Sequence, residues 1–188
     1  MAKGPTKAET FLRHLEPLRG ALEAYCRRAL SDRGEVQDVL QSVVANAYRD
    51  FDLYAQGTNF RAWIFRYLHL EILNCNRRHG RDRHEALPAA GPPAEEVWSL
   101  ALNEPLFDAL LDDPDAVLDQ CDEAVAEAVR ELDPIGRAAL LLQAVGEFKY
   151  REIADILGIP VGTVKSRLHT ALVRLHEAWS ASPSLGEA

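Results

Sequence analysis

The chain has 188 residues, 47% of them apolar, and a formal charge of −8. That composition suits one ordinary globular domain or two small ones and is too apolar for a disordered chain. No apolar run reaches the length of a membrane span, and the N-terminus MAKGPTKAETFLRHLEPL lacks a signal-peptide core, so a cytoplasmic protein without membrane insertion is expected.

From Thr10 to Leu30 the pattern is helical, with Phe11, Leu15, Leu18, Leu22, Tyr25 and Leu30 facing inward. Pro17 marks a start or an interruption within it, and SDRG (Ser31 to Gly34) reads as a turn. The next helix has the clearest period: Val36, Val39, Leu40, Val43, Val44, Ala47, Tyr48 and Phe51 form one apolar face. Asp38, Gln41, Ser42, Ala45 and Arg49 lie opposite. DLYAQGTN (Asp52 to Asn59) is a loop, with Thr58 or Asn59 as the N-cap of the succeeding helix. That helix, from Phe60 to Arg78, buries Phe60, Trp63, Ile64, Tyr67, Leu68 and Ile72 and carries Arg61, Arg66, Asn74, Arg77 and Arg78 elsewhere. The tract PAAGPPAEE reads as linker. Helices resume with CDEAVAEAVREL, IGRAALLLQAVGEF, the short YREIADILG and a long one from Val161 to Trp179. No strand with clean alternation is present, so the expected fold is all-α.

Charge divides the chain in the same way. Residues 1–80 carry a net +3, residues 81–135 a net −12 and residues 136–188 a net +1. Two mildly basic modules joined by an acidic segment is the implied organisation: 8–80, a linker 81–118, and 119–180. The three cysteines, Cys26, Cys75 and Cys121, form no CxxC pair and read as isolated thiols in a reducing compartment. His79 and His84 flank a basic turn without acidic or thiol partners at ligand spacing, so no metal and no cofactor is expected. No nucleophile–base pair or phosphate-cradling loop is found, and the chain is not expected to be an enzyme.

The stretch REIADILGIPVGTVKSRLHTALVRL holds the sharpest signal. Ile153, Ala154 and Leu157 face inward on a short helix, Gly158 turns the chain, and Ile159 plugs the corner. Val164, Leu168, Ala171, Leu172 and Leu175 face inward on the second helix. This is a helix-turn-helix, whose second helix offers its N-terminal half to the DNA major groove. The positions expected on that open face are Gly162, Thr163, Lys165, Ser166, Arg167, His169 and Thr170, which are small, hydroxyl-bearing or basic. A carboxylate there would be repelled by phosphate, and both acids of the stretch, Glu152 and Asp155, precede Gly158. The competing reading is an ordinary amphipathic helix pair with a solvated basic face.

YREIADILGIPVGTVKSRLHTALVRL resembles the promoter-reading helix-turn-helix of the extracytoplasmic-function (ECF) bacterial sigma factors. Upstream, EVQDVLQSVVANAYRDFDLYAQGTNFRAWIFRYLHLEILNCNRRH resembles the N-terminal domain of the same family, in the family's order. The resemblance implies binding to core RNA polymerase and to promoter DNA, with an anti-sigma factor as a common further partner. It places Asp38 and Gln41 on the polymerase-binding helix, where i, i+3 spacing puts both opposite the apolar stripe. The loop 52–59 matches the part that captures a flipped base of the −10 element, with Asn59 and Arg61 at the pocket edge. Asn74, Arg77 and Arg78 would follow the DNA backbone, while Trp63 is expected in the core. For the −35 element the implied contacts are Thr163, Lys165, Ser166, Arg167 and His169, with Lys165 on phosphate and Arg167 on a base edge. Thr170 stands where many relatives carry a basic residue, and Ser42 and Asn46 replace a usual acid and base. The acidic segment is expected to follow the RNA-exit path or to mask the basic modules. Rival readings are a sigma mimic that captures an anti-sigma factor and a stand-alone helix-turn-helix regulator; the NFRAW motif argues against the second.

Overall fold

Thr6 begins the first helix with a reciprocal cap: its hydroxyl accepts from Glu9 N (3.2 Å) and the Glu9 carboxylate accepts from Thr6 N (2.7 Å). In the computed structural model, which describes residues 4–78, 128–129 and 131–180, this cap opens α1 (Lys7–Leu15). Pro17 then falls in a 3₁₀ turn, Glu16–Leu18, and α2 (Arg19–Ala29) resumes beyond it. The interruption expected at Pro17 is therefore present, though the helical backbone starts earlier than Thr10. The chain divides into two compact units, Met1–His84 and Glu85–Ala188. Among the described residues every regular element is helical.

In the first unit α3 (Val36–Arg49) packs on α2 and on α4 (Phe60–Arg78). Val36, Val39, Val43 and Ala47 of α3 are buried against Leu22, Tyr25 and Cys26 of α2 and against Ile64, Phe65, Leu68 and Ile72 of α4. The predicted stripe on α3 is broader than the buried one. Leu40 and Val44 are half-buried and Tyr48 is exposed, because only about 100° of a helix's circumference faces its neighbours. Phe11 carries α1 onto this core through edge contacts with the rings of Tyr48, Phe51 and Phe60.

Two buried polar side chains hold the helices in register. Asn76 of α4 donates to Ala29 O and accepts from Ser31 N, both at 3.0 Å, which closes the end of α2 onto α4. His69 lies 3.4 Å from the Tyr25 hydroxyl, and burial pushes its pKa down to about 4, so it is neutral at physiological pH. Cys26 and Cys75 are buried free thiols; burial pushes Cys26 up to about 12 and raises Cys75 as well. Cys121, the linker 81–118 and the turn carrying His79 and His84 lie outside the described residues.

The second unit contains α5 (Pro134–Ala144), α6 (Tyr150–Leu157) and α7 (Val161–Ser180). Asp133 caps α5 by accepting from Gly136 N at 3.1 Å, with Pro134 at the first helical position. Between α5 and α6, Gly146 lies directly under the Phe148 ring. A Cβ there would overlap that ring and come within 2.6 Å of Leu142 O. Gly158 ends α6 at φ 68°, a left-handed cap that glycine adopts without strain. Ile153, Ala154 and Ile156 are buried on α6, whereas Leu157, expected inward, is half-buried. Val164, Leu168, Ala171 and Leu175 of α7 are buried, and Leu172 is half-buried. Most of CDEAVAEAVREL lies outside the described residues.

Candidate nucleic-acid interface

The turn between α6 and α7 fixes how α7 is offered to solvent. Ile159 N returns to Ala154 O at 3.1 Å, and Pro160 O accepts from Thr163 N and Val164 N at 2.9 and 3.1 Å. The chain is thereby bonded on both sides of Gly158. Beyond the turn, Gly162 and Lys165 are exposed, and Thr163, Ser166 and Thr170 are half-buried. Two of these hydroxyls bond back to the helix: Ser166 donates to Thr163 O (3.0 Å) and Thr170 to Ser166 O (3.1 Å). Each hydroxyl keeps lone pairs that can accept a further hydrogen bond. From Gly162 to Thr170 this helix carries no acid.

Two expected members of that face are turned inward. The Arg167 side chain is only 13% exposed, and its Nη1 lies 3.6 Å from Asp133 Oδ2, the carboxylate that caps α5. His169 is 8% exposed. The physical reason is that α7 packs on both α5 and α6, so its buried arc is wider than that of a helix with one neighbour. Lys165, Thr163 and Ser166 keep the outward placement expected of them in full or in part.

On the first unit the face of interest runs along α4 and the loop before it. Asn59 caps α4, its Oδ1 accepting from Ala62 N at 3.1 Å. The preceding loop is braced by Tyr54, whose hydroxyl donates to Thr58 O at 2.5 Å, and by Thr58 Oγ1 donating to Ala55 O at 2.7 Å. Residues 55–59 are exposed, and Leu53 at the loop's start is 83% exposed. On α4 the exposed positions are Arg66, Leu70, Asn74, Arg77 and Arg78, with no carboxylate among them. Arg61 is half-buried in the first turn.

Trp63 and Tyr67, expected in the core, are half-buried at the edge of this face. Trp63 packs on the rings of Tyr54 (5.2 Å), Phe60 (5.5 Å) and Tyr67 (4.9 Å) and leaves part of its surface open. An open strip of aromatic and aliphatic carbon flanked by Arg and Asn suits unstacked bases and a phosphate backbone. Sequence reasoning left Arg66 unassigned and missed Leu70; their spacing with Asn74 (i, i+4, i+8) was the available signal.

The two acids nearest the loop are both engaged. Asp50 accepts from Arg49 Nε and from the Tyr67 hydroxyl, each at 3.1 Å, and the Arg49 hydrogen bond holds its carboxyl below the usual range. Burial, with Asp50 beside it, raises Tyr67. Asp52 pairs with Lys7 at 2.6 Å. On α3, Asp38 and Gln41 are both exposed on the side away from the buried valines. Among the described residues no cluster of His, Cys, Asp or Glu could hold a metal, and no helix is long and apolar enough to cross a membrane.

Residues 14–82 match the family model for sigma-70 region 2, and residues 122–175 match that for sigma-70 region 4. The chain is 30% identical over 175 residues to the ECF RNA polymerase sigma factor SigG of Mycobacterium tuberculosis, covering 88% of this chain and 47% of that protein. It therefore spans about half the length of that relative. It is 26% identical over 144 residues to the ECF sigma factor SigW of Bacillus subtilis, covering 77% of this chain and 75% of SigW. Among solved structures, the fold is similar to the sigma factor RpoE in complex with the anti-sigma factor NepR from Bartonella quintana, at TM-score 0.66 and 22% identity, covering 92% of this chain and 98% of RpoE. CnrH, solved in complex with the cytosolic domain of CnrY, superposes at TM-score 0.56 and 20% identity, covering 93% and 90%. A helical unit and a separate helix-turn-helix unit, matched in this order to sigma-70 regions 2 and 4, define a sigma-70 type protein; the chain belongs to the ECF group of bacterial RNA polymerase sigma factors.

Proposed function

We propose that this chain binds core RNA polymerase and directs it to promoters by reading the −10 and −35 elements. The observation that carries the proposal is the pairing, on one chain and in family order, of regions 2 and 4, the first exposing Arg66, Asn74, Arg77 and Arg78 on α4 and the second an acid-free stretch from Gly162 to Thr170. In this reading Asp38 and Gln41 dock α3 on the polymerase. The loop ending at Asn59, with Arg66, Asn74, Arg77 and Arg78 of α4, holds the separated strand of the −10 element. Arg61, half-buried, supports the loop-to-helix junction.

Thr163, Lys165 and Ser166 meet the −35 duplex, with Lys165 on phosphate and the hydroxyls on base edges. Arg167 and His169 belong to the scaffold that aims them. The working domains are 8–80 and 119–180, joined by the acidic segment 81–118. The chemistry is the polymerase's; this chain supplies specificity, works in the cytoplasm, needs no cofactor, and is a target for an anti-sigma factor.

The test is co-elution of the full chain with bacterial core polymerase, beside the Asp38→Arg, Gln41→Ala double variant. Wild-type binding that the variant loses supports docking through α3. Failure of the wild type to bind core overturns the proposal.

A further inference from the structure

The loop proposed to hold the −10 strand begins with an apparent error: a carboxylate, Asp52, where phosphate must approach. Its partner comes from far away in sequence. Lys7, the first residue of α1, reaches across 45 positions to Asp52 Oδ2 at 2.6 Å. The same ammonium donates to Arg49 O at 3.4 Å and lies 5.1 Å from the centre of the Tyr48 ring. Lys7 thus touches the last turn of α3, the chain leaving it and the residue before Leu53. Its own position is set by the Thr6–Glu9 cap one residue earlier and by Phe11, whose ring contacts Tyr48 and Phe51.

We propose that Lys7 is a positioning residue for promoter opening: through Asp52, Arg49 O and Tyr48 it fixes the start of the loop 54–59 at one angle to α4 and covers the Asp52 charge on the side of the incoming strand. The inference rests on the proposed −10 role of this loop. The downstream half of the loop already has its braces, Tyr54 to Thr58 and Asn59 to Ala62, which bond residues within the loop and α4. Those braces make the loop rigid in itself. From α1, Phe11 and His14 meet the entrance through the rings of Phe51 and Tyr54, and Lys7 adds the polar tie, to Arg49 O and Asp52, that sets its angle.

The salt bridge is a surface pair, with side chains 33% and 76% exposed, and a pair of that kind alone has little effect. A lysine that also bonds a carbonyl and lies over a ring gives a larger combined effect. Its removal is expected to weaken capture of the strand about fivefold.

The experiment uses holoenzyme assembled from the full chain and core polymerase. It reads binding of a single-stranded non-template −10 oligonucleotide and the rate of opening of a duplex promoter labelled with 2-aminopurine. Lys7→Ala is expected to lose about fivefold in both while binding core as wild type does. Lys7→Arg, which keeps the cation, is expected to recover most of the loss, and Lys7→Met, which keeps the stem without the charge, little of it. A merely destabilised α1 would be restored by Lys7→Met as well, since methionine is as good a helix former as lysine. Lys7→Ala that opens the promoter at the wild-type rate overturns the proposal alone, as does a loss that Lys7→Arg does not recover or that Lys7→Met does. A wild-type chain that binds core but not the −10 strand overturns the −10 reading itself, and this proposal with it.

Discussion

Arg167 is the residue on which the expectation from sequence and the structure disagree most usefully, and a double-mutant cycle with Asp133 decides between them. At 3.6 Å two unit charges attract by about 1 kcal/mol in water-like surroundings and about 5 kcal/mol at an effective dielectric of 20. The Asp133 side chain is 37% exposed, so solvent screening and the entropy of fixing the arginine bring the expected coupling down to about 1 kcal/mol. Asp133 has a second task, accepting from Gly136 N, and losing that cap costs about 1 kcal/mol more. Arg167→Gln should therefore destabilise α7 against α5 by about 1 kcal/mol and Asp133→Ala by about 2 kcal/mol. The double variant should match Asp133→Ala, since the shared interaction can be lost only once.

Hydrogen exchange of the α5 and α7 amides gives these opening free energies in the full chain without requiring both units to unfold together. The second arm is duplex binding by holoenzyme. Arg167→Gln should weaken every −35 sequence by a similar factor, whereas loss of a base-edge contact would relax the preference at one position. Additive destabilisation together with a single relaxed base position would refute the assignment of Arg167 to the scaffold.

Three further outcomes are expected. His69 has a folded pKa of about 4 against an ordinary 6.5, so the unfolded chain takes up the proton first as pH falls. The stability that depends on neutral His69 is full above pH 6.5 and is lost between there and pH 4; urea titrations should show a fall of about 3 kcal/mol over that window, largely absent in His69→Gln. Asn76→Ala removes two hydrogen bonds from the junction of α2 and α4 and strands their partners, and should lower the stability of the first unit by about 2 kcal/mol in the same assay. Gly146→Ala forces its Cβ into the Phe148 ring and Leu142 O, and should cost the second unit about 2 kcal/mol, read as lost amide protection in α5 and α6.

The helices were legible because their apolar residues recur at 3 and 4, as α3 shows, and because Pro17, Asn59 and Gly158 mark where they stop or start. Periodicity says which side of a helix faces inward and not how wide that side is. Hence Tyr48, Trp63 and Tyr67, at the margins of their stripes, came out more open than expected, and Arg167 and His169, at the margins of α7, more closed. Buried polar residues escaped for a related reason. His69 and Asn76 are tolerable inside only because Tyr25, Ala29 and Ser31 meet them from 44 to 47 positions away, a pairing that no local pattern announces. The same distance hid the Lys7–Asp52 pair.

The turn at Gly158, Ile159 and Pro160 has a consequence for how such a protein can change its target. Because hydrogen bonds on both sides of that turn set the course of α7, its outward side chains are relieved of structural duty. Gly162, Thr163, Lys165, Ser166 and Thr170 behave as interchangeable type on a fixed press, while Arg167 and His169 are part of the press. A library that randomises the five outward positions and leaves the two inward ones alone should return mostly folded proteins, with shifted promoter choice on the proposed reading. One that randomises 163–170 as a block should return mostly unfolded ones. Evolution faces the same division, and on the proposed reading drift in promoter preference runs along one side of a single helix.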